Sequence, residues 1–170
     1  TLDRSSAASD VYKRQVHQLL QLARSESNVE MQSIDLAALA REVAREWAAR
    51  ALAQGMDLGY EGVDHLPAQG HPLLLREALN NLIDNALHYA GPGATVTVRV
   101  GHEEPGHWAL LVVEDDGPGV PAEHLGDLFA RFWRGSDKAG GCGLGLSIVE
   151  EIAPVSYTHL RAQRPERISY

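Results

Sequence analysis

The sequence predicts an α+β domain, and three stretches of the chain carry that prediction. Residues 76–90 have the continuous apolar pattern of a buried helix. Residues 95–100 alternate between apolar and polar side chains, as a half-buried strand does, and residues 108–114 form a second apolar strand after a glycine-containing turn. Strands beside long helices in one short chain indicate a sheet with helices packed against it.

The composition excludes several classes of protein. The chain has 170 residues, enough for one ordinary domain with attachments, and its net charge of −8 gives it no electrostatic attraction to nucleic acid. No apolar run approaches the roughly 18 residues that a membrane helix needs. The single cysteine, Cys142, has no partner for an internal disulfide, and we interpret it as a small filler residue because no base or cation stands beside it.

The two ends of the chain differ from its middle. Residues 1–15 and 154–170 have no sustained periodicity, and we expect both to be non-native or disordered tails. Residues 16–27 predict a short amphipathic helix with apolar residues along one side. The core of the domain is therefore expected between these segments.

The middle of the chain begins with a helix and a strand. The helix is predicted over residues 34–52, with Gly55 as its C-terminal cap, and a short strand follows at residues 56–60. His71 then precedes Pro72, and we interpret His71 as a surface N-cap with the proline at the first helical position.

The central helix carries a line of polar residues. Glu77, Asn81, Asn85 and Tyr89 follow one another at intervals of four and therefore share one face, while apolar residues fill the rest of the helix. A buried amide or carboxylate without a partner costs a few kcal/mol, so the line requires either water or a ligand. On this stretch alone, a solvated face and a ligand pocket are both open.

Two glycine-rich loops follow. Asp115 ends the second apolar strand, and Gly117 and Gly119 after it allow backbone to approach a ligand closely. An ordinary turn explains the same residues, and Asp116 is as suitable as Asp115 for the turn-forming role. The second loop, residues 140–145, opens a helix predicted from Leu144, whose amino end favours phosphate.

Four motifs together resemble a known family. Arg76–Ala90, Val112–Pro121, Leu128–Arg134 and Gly140–Val149 resemble, in order and spacing, the N, G1, phenylalanine and G2 boxes of histidine-kinase ATP-binding domains. These belong to the wider gyrase, chaperone, kinase and mismatch-repair (GHKL) ATPase superfamily. The resemblance implies a two-layer α/β sandwich of the Bergerat type, with a mixed sheet covered on one face by helices.

The resemblance also implies a division of the chain. Residues 16–30 are similar to the end of the second helix of a dimerisation and phosphoacceptor domain, and residues 31–153 to an ATP-binding catalytic domain. Family members continue after the last helix into two further strands, whereas Pro154 and an aperiodic tail stand here. We therefore expect the C-terminal strands to be missing and the domain to be incomplete and less stable.

The ligands that the resemblance implies are ATP and Mg²⁺. Asn85 corresponds to the family's Mg²⁺ ligand, Asn81 to a contact on the phosphate side, and Asp115 to the acceptor for the adenine amino group. Glu77 is expected to support the metal site rather than act as a base, and His88 stands where the family commonly has Lys or Arg for phosphate. Further implied nucleotide contacts are Tyr89, Gly117, Gly119, Val120, Arg131, Arg134, Gly141, Gly143, Leu144, Gly145 and Leu146.

The activity that the resemblance implies is that of a histidine protein kinase in a two-component system. The γ-phosphoryl group of Mg-ATP would pass to a histidine on the dimerisation helices and then to the receiver domain of a response regulator. His17 is followed by Gln18, not by the acidic residue of a phosphoacceptor motif, so we expect this chain to bind ATP without phosphorylating itself. The implied setting is a homodimer, formed through upstream helices, in the cytoplasmic part of a membrane-anchored bacterial sensor.

Three alternatives share this fold. An anti-sigma-type serine kinase would lack the helix at residues 16–27. An ATP-operated clamp would carry a water-activating glutamate four residues before the metal asparagine, where this chain has Asn81. A nucleotide sensor without phosphoryl transfer is the third.

Overall fold

The computed structural model describes residues 31–103, 108–121, 123–124 and 145–155, and these form five strands and three helices. The first half of the domain contains β1, α1, β2 and β3, and the second half contains α2, β4, β5 and α3. In chain order the elements are β1 (Gln32–Asp35), α1 (Leu36–Ala53), β2 (Asp57–Gly62), β3 (Pro67–Gly70), α2 (Pro72–Tyr89), β4 (Thr95–Glu103), β5 (Trp108–Asp115) and α3 (Gly145–Val155).

The described strands form two sheets. The larger has the order β2–β4–β5, with β2 parallel and β5 antiparallel to the central β4. The smaller pairs β1 with β3 in antiparallel fashion, with Gln32 opposite Gly70. The parallel pairing arises because β3 and α2 carry the chain from β2 back to the start of β4, as a crossover connection must.

One face of the larger sheet is covered by helices and the other is open. Val96, Val98 and Val100 of β4 are buried in the same core as residues of α1 and α2. On the opposite face, the Arg99 guanidinium lies between two carboxylates, 2.6 Å from Glu114 and 3.3 Å from Glu61. Apolar burial on one face and ion pairs on the other confirm the α+β architecture of a mixed sheet with helices on one side.

Helices α1 and α2 run side by side in the same direction and are tied by polar side chains. Arg76 contacts Glu42 and Glu46 at 2.7 and 2.8 Å, and Arg50 contacts Asp84 at 3.0 Å. A hydrogen bond of 2.9 Å from Trp47 Nε1 to Asn80 Oδ1 lies between these ion pairs. We call this set the α1–α2 ladder, and it fixes the rotation of α2 about its own axis.

The start of α1 is held by one carboxylate. Oδ1 of Asp35 accepts hydrogen bonds from the backbone N–H groups of Ala37, Ala38 and Leu66, each at 3.1 Å. Oδ2 lies 2.8 Å from His65 Nδ1. The His65 contact and these N–H donors lower the pKa of Asp35 well below its ordinary value. Asp35 thus joins the helix to the β2–β3 connection as well as capping it.

The structure corrects several predicted boundaries. Ile34 lies in β1 and not in α1, because the Asp35 cap starts the helix at Leu36. Strand β3 was not predicted, since its sequence PAQG has no apolar alternation and forms a strand only by pairing with β1. α3 extends through Pro154 to Val155, past the predicted end of the domain at residue 153.

Other predictions are confirmed. His71 is the N-cap of α2, although its Nδ1 accepts the N–H of Leu74 only at 3.4 Å, and Pro72 follows at the first position. Gly55, predicted as the cap of α1, is the residue after the actual C-cap, Gln54, and has a left-handed φ of 71°. None of the helices in the described part of the chain is long and apolar enough to span a bilayer.

We predict that Asp35→Ala lowers the melting temperature at pH 7, because α1 loses its cap and the β2–β3 connection loses two anchors. The lowered pKa of Asp35 favours the folded state above about pH 4 and loses that effect as the pH falls below it. The deficit of the variant should therefore shrink between pH 7 and pH 3 in urea unfolding followed by circular dichroism. Asp64→Ala, which removes an exposed carboxylate in the same connection, is the control. A deficit that is constant with pH would contradict the assignment.

Candidate functional site

The polar line of α2 runs between the helix faces that contact α1 and α3, and we call this strip of α2 the groove. On one side, the α1–α2 ladder brings α1 against α2. On the other side, α3 packs against α2 in a separate apolar cluster. That cluster consists of Leu74, Ala78, Ile148, Val149 and Ile152, with Leu82 packed against it. At helical spacing, Asn81 and Asn85 fall between these two contact faces, so the line predicted from sequence forms the floor of the groove.

Glu77 is the most buried polar residue of the line, with 3% of its surface exposed. Its Oε1 lies 3.5 Å from Asn80 Nδ2, and Asn80 in turn accepts the Trp47 hydrogen bond. Its backbone carbonyl accepts a hydrogen bond of 2.8 Å from Asn81 Nδ2. Glu77 therefore contacts both neighbouring amides, Asn80 through its side chain and Asn81 through its backbone carbonyl.

The two asparagines of the floor differ in what is left for a ligand. Asn81 uses its Nδ2 on the backbone of its own helix, so its Oδ1 remains as an acceptor. Asn85 is half-buried, and no other group in the described ranges hydrogen-bonds its side chain. A half-buried amide without a protein partner is the expected state of a group that binds a ligand or water.

The last turn of α2 contributes two rings. His88 is exposed and Tyr89 is half-buried, and their rings meet edge to face with centroids 4.9 Å apart. A ring contact with Tyr89 restricts the imidazole at the helix end nearest the β5 loop.

At the end of β5, the two adjacent aspartates have different partners. Oδ1 of Asp115 accepts the N–H of Gly117 at 3.1 Å, while its Oδ2 receives no hydrogen bond from the described residues. Oδ1 of Asp116 accepts the N–H of Thr95 at 2.7 Å, and the Asp116 N–H donates to the Thr95 carbonyl at 3.2 Å. The sequence did not decide which of the two aspartates forms the turn. In the structure Asp115 forms it, and Asp116 is bound to the start of β4.

The environment of Asp115 disfavours its charge. The residue lies opposite Val96 and therefore on the helix-covered face of the sheet. Burial raises the pKa of the Asp115 carboxyl, the Gly117 N–H opposes that rise, and the negative charge of Asp116 adds to it. A partly desolvated carboxylate with one free oxygen is suited to accept a hydrogen bond from a ligand, which would stabilise the ionised form.

The loop after Asp115 touches the end of α2. A Cβ at Gly117 would lie 2.5 Å from Ala90 Cα and 2.8 Å from Asp115 Oδ1, so no larger residue fits there without a shift. A shallow cavity of about 360 Å³ opens beside this contact and does not reach Asn81 or Asn85. Its lining residues are Ala90, Pro92, Gly93, Ala94, Asp116, Gly117 and Pro118.

The remaining predicted contacts are only partly described. Gly119 has a left-handed φ of 71°, Val120 is half-buried, and Gly145 and Leu146 form the start of α3. Five lie outside the described residues, namely Arg131, Arg134, Gly141, Gly143 and Leu144. The phenylalanine box lies outside them as well.

Sequence reasoning missed the residues that hold the site together. Asn80 of α2 contacts Glu77 and is itself held by Trp47 of α1, and Thr95 binds Asp116. The spacing of Asn80 next to Asn81 gave no signal, because adjacent residues on a helix face different neighbours. Asp116 was considered only for the turn.

Comparisons with known proteins agree with this geometry. Residues 70–166 match the family described as "Histidine kinase-, DNA gyrase B-, and HSP90-like ATPase". The sensor histidine kinase CusS of Escherichia coli is 36% identical over 146 residues, which are 82% of this chain and 30% of that protein. The sensor protein kinase PmrB of Pseudomonas aeruginosa is 33% identical over 147 residues, 84% of this chain and 30% of that protein.

Solved structures show the same fold. A mycobacterial sensor histidine kinase, MprB, matches with a TM-score of 0.65 and 28% identity over 75% of this chain and 81% of that chain. The histidine kinase ThkA, in complex with the response regulator protein TrrA, matches with a TM-score of 0.67 at 19% identity over 89% of this chain and 43% of that chain.

The fold and the groove define an ATP-binding domain of the two-layer type. The chain belongs to the family of histidine kinase-, DNA gyrase B- and HSP90-like ATPases. Its architecture is that of the histidine-kinase catalytic domains within that family. The chain spans about 30% of the length of the curated relatives it matches.

We predict that Gly117→Ala weakens ATP binding at least tenfold, because the added methyl group pushes the Asp115 loop away from Ala90. Isothermal titration with Mg-ATP measures the loss. Gly101→Ala is the matched control, since a Cβ there meets nothing within 4 Å. Unchanged affinity in Gly117→Ala would show that the loop does not need this contact for binding.

Proposed function

We propose that the chain is the ATP-binding catalytic part of a sensor histidine kinase. It would hold Mg-ATP while the γ-phosphoryl group passes to a histidine of a dimerisation domain and from there to a response regulator. The observation that carries the proposal is that the Asn85 amide, in the last turns of α2, and one oxygen of Asp115, across the Ala90–Gly117 contact, receive no hydrogen bond from the described residues. Family membership and the kinases among its relatives support it.

In this proposal the floor of the groove faces the phosphates and the β5 loop faces the base. Asn85 offers an amide oxygen, which suits Mg²⁺, an ion that takes oxygen ligands and usually few of them from protein. Asn85 would hold this ion, whose charge would offset that of the phosphates. Asn81 presents its remaining Oδ1 beside it, and Glu77 holds Asn81 in place through its backbone carbonyl.

Asp115 would recognise adenine through its free Oδ2. The amino group of adenine is a donor, and a carboxylate in a partly desolvated position accepts such a bond strongly. The raised pKa of Asp115 means that base binding requires ionisation of a group that burial keeps more readily protonated than usual. As the pH is lowered, ATP affinity is therefore expected to start falling at a higher pH than it would if Asp115 had the ordinary pKa of an aspartate.

The outer contacts are assigned by correspondence with the family. His88 and Tyr89 extend the site at the end of α2, with Gly119 and Val120 beside the base. The loop opening α3, from Gly141 to Leu146, would place backbone N–H groups near phosphate. Arg131 and Arg134 would act from the lid.

The remaining parts of the proposal concern the larger protein. Residues 16–30 would be the end of a dimerisation helix and residues 31–153 the catalytic domain, while the phosphoacceptor histidine would lie elsewhere. A response regulator is the expected partner, since ThkA is known in complex with one. A homodimer and anchoring to the membrane, with this domain on the cytoplasmic side, complete the proposed arrangement.

The serine-kinase and clamp alternatives are less favoured. The relatives matched over four fifths of the chain are named sensor kinases. Asn81 also occupies the position at which a clamp ATPase would need a glutamate to activate water, and an amide cannot serve as that base.

We predict that Asp115→Asn loses Mg-ATP binding at least tenfold, because an amide donor replaces the acceptor that adenine needs. The variant should melt no lower than the wild type at pH 7. Because the pKa of Asp115 is raised in the folded state, its protonated form stabilises the fold at low pH, and this stabilisation is lost as the pH rises. At pH 7 the wild type must keep a partly buried charge, and the uncharged asparagine removes that energetic cost. Titration calorimetry and thermal unfolding of the full chain measure the two effects. Retained ATP affinity in a folded variant would refute the proposed site.

We predict that Asn85→Ala removes the dependence of ATP affinity on Mg²⁺. The wild type should bind ATP more tightly in Mg²⁺ than in EDTA, and the variant equally weakly in both, because the amide oxygen is absent. Asn85→Asp, which keeps an oxygen ligand, should restore the Mg²⁺ effect. A full Mg²⁺ effect in Asn85→Ala would place the ion elsewhere.

A further inference from the structure

The loop that carries Asp115 is anchored by a reciprocal pair of hydrogen bonds. Asp116 accepts the Thr95 N–H through its carboxylate at 2.7 Å and donates its own N–H to the Thr95 carbonyl at 3.2 Å. Both polar groups of the Thr95 backbone are thereby bound to a single residue. We call this the Asp116–Thr95 clamp.

The clamp lies between the end of β5, which carries Asp115, and the end of α2. The proposed base binding requires these two ends to stay aligned. Thr95 is the first residue of β4 and follows directly on the turn that leaves α2 at Ala90. Asp115 precedes Asp116 and points to the helix-covered face, opposite Val96. The Asp115 carboxylate and the end of α2 are therefore joined by two short links, the clamp and the Ala90–Gly117 contact.

Asp116 has a different environment from Asp115. It is exposed, and one of its oxygens is occupied by the Thr95 N–H. The exposed Asp116 carboxylate also places a second negative charge beside the half-buried Asp115, which opposes ionisation of Asp115. Asp116 is not needed for the turn, because Asp115 already makes it.

We propose that Asp116 is a positioning residue for nucleotide recognition, which sets selectivity for adenine by fixing the Asp115 carboxylate relative to the end of α2. The inference rests on the proposed function, since it requires Asp115 to accept a hydrogen bond from the base. A hydrogen bond to a base donor depends steeply on distance and angle, so a loop freed from Thr95 loses the bond before it loses the rest of the site.

The test compares ATP with inosine triphosphate, which carries a carbonyl in place of the 6-amino group. Inosine triphosphate has a carbonyl where ATP has the 6-amino donor and carries its own donor at N1, so the ratio of the two dissociation constants reports how well the 6-amino group is recognised. Asp116→Ala should lower ATP affinity about tenfold and change inosine triphosphate affinity less than twofold, which reduces the ratio. Asp116→Asn keeps an acceptor for the Thr95 N–H and should retain most of the ratio.

Two further variants make the comparison specific. Asp57→Ala removes a carboxylate from the residue opposite Thr95 on the other side of β4, outside the clamp, and should leave both affinities unchanged. Thr95→Pro removes the N–H donor and leaves Asp116 intact, so it should reproduce the loss of selectivity. If Asp116→Ala does not fold, Thr95→Pro still tests whether the clamp sets the selectivity for ATP.

The outcomes separate the inference from the function beneath it. A reduced ratio in Asp116→Ala or Thr95→Pro, with rescue in Asp116→Asn, supports the positioning role. Equal losses for both nucleotides, or an unchanged ratio in folded variants, overturn it and leave the clamp a structural contact. If Asp115→Asn binds both nucleotides as the wild type does, the proposed function fails, whatever the Asp116 variants show.

Discussion

The arrangement of the domain depends on how closely the end of β5 approaches the end of α2. Gly117 leaves no room for a Cβ against Ala90, and this contact brings a strand-end carboxylate to the helix that carries the asparagines. Neither element makes a site alone. In the proposed site the helix would supply the amides for metal and phosphate, and the strand end would supply the acceptor for the base.

The rest of the domain keeps α2 in the rotation that this contact requires. The α1–α2 ladder holds one side of the helix and the apolar cluster with α3 holds the other, so the polar line is left facing the groove. Exposed ion pairs contribute little stability individually, and we assign the ladder an orienting effect rather than a large energetic one. The buried valines of β4 provide the main apolar support beneath.

Much of the site followed from sequence because helical periodicity is regular. The line from Glu77 to Asn85 requires only the spacing of four, and strands β4 and β5 show clear apolar patterns. The asymmetry of Asp115 and Asp116 could not be obtained this way. Both are aspartates beside glycine, and their different partners depend on where β4 begins, which is a tertiary fact.

Strands β1 and β3 were not predicted from the sequence, for a related reason. Their four residues each carry no alternation that would identify a strand, and they pair across a separation that includes α1 and β2. Asp35 acts as a cap that sequence could suggest, but its hydrogen bond to Leu66 depends on the return of the chain after β2. Local pattern thus predicted the elements that carry their own signal and missed those formed by pairing alone.

The parallel pairing of β2 with β4 has a consequence for how the domain opens. Residues 63–94, including all of α2, lie within the loop that this pairing closes. The helix that forms the groove floor therefore cannot leave the sheet while both ends of that loop stay paired. Amide protons of α2 and β4 should then exchange with solvent as one cooperative unit, more slowly than those of β1 and β3, so that the floor of the groove persists through partial opening of the domain.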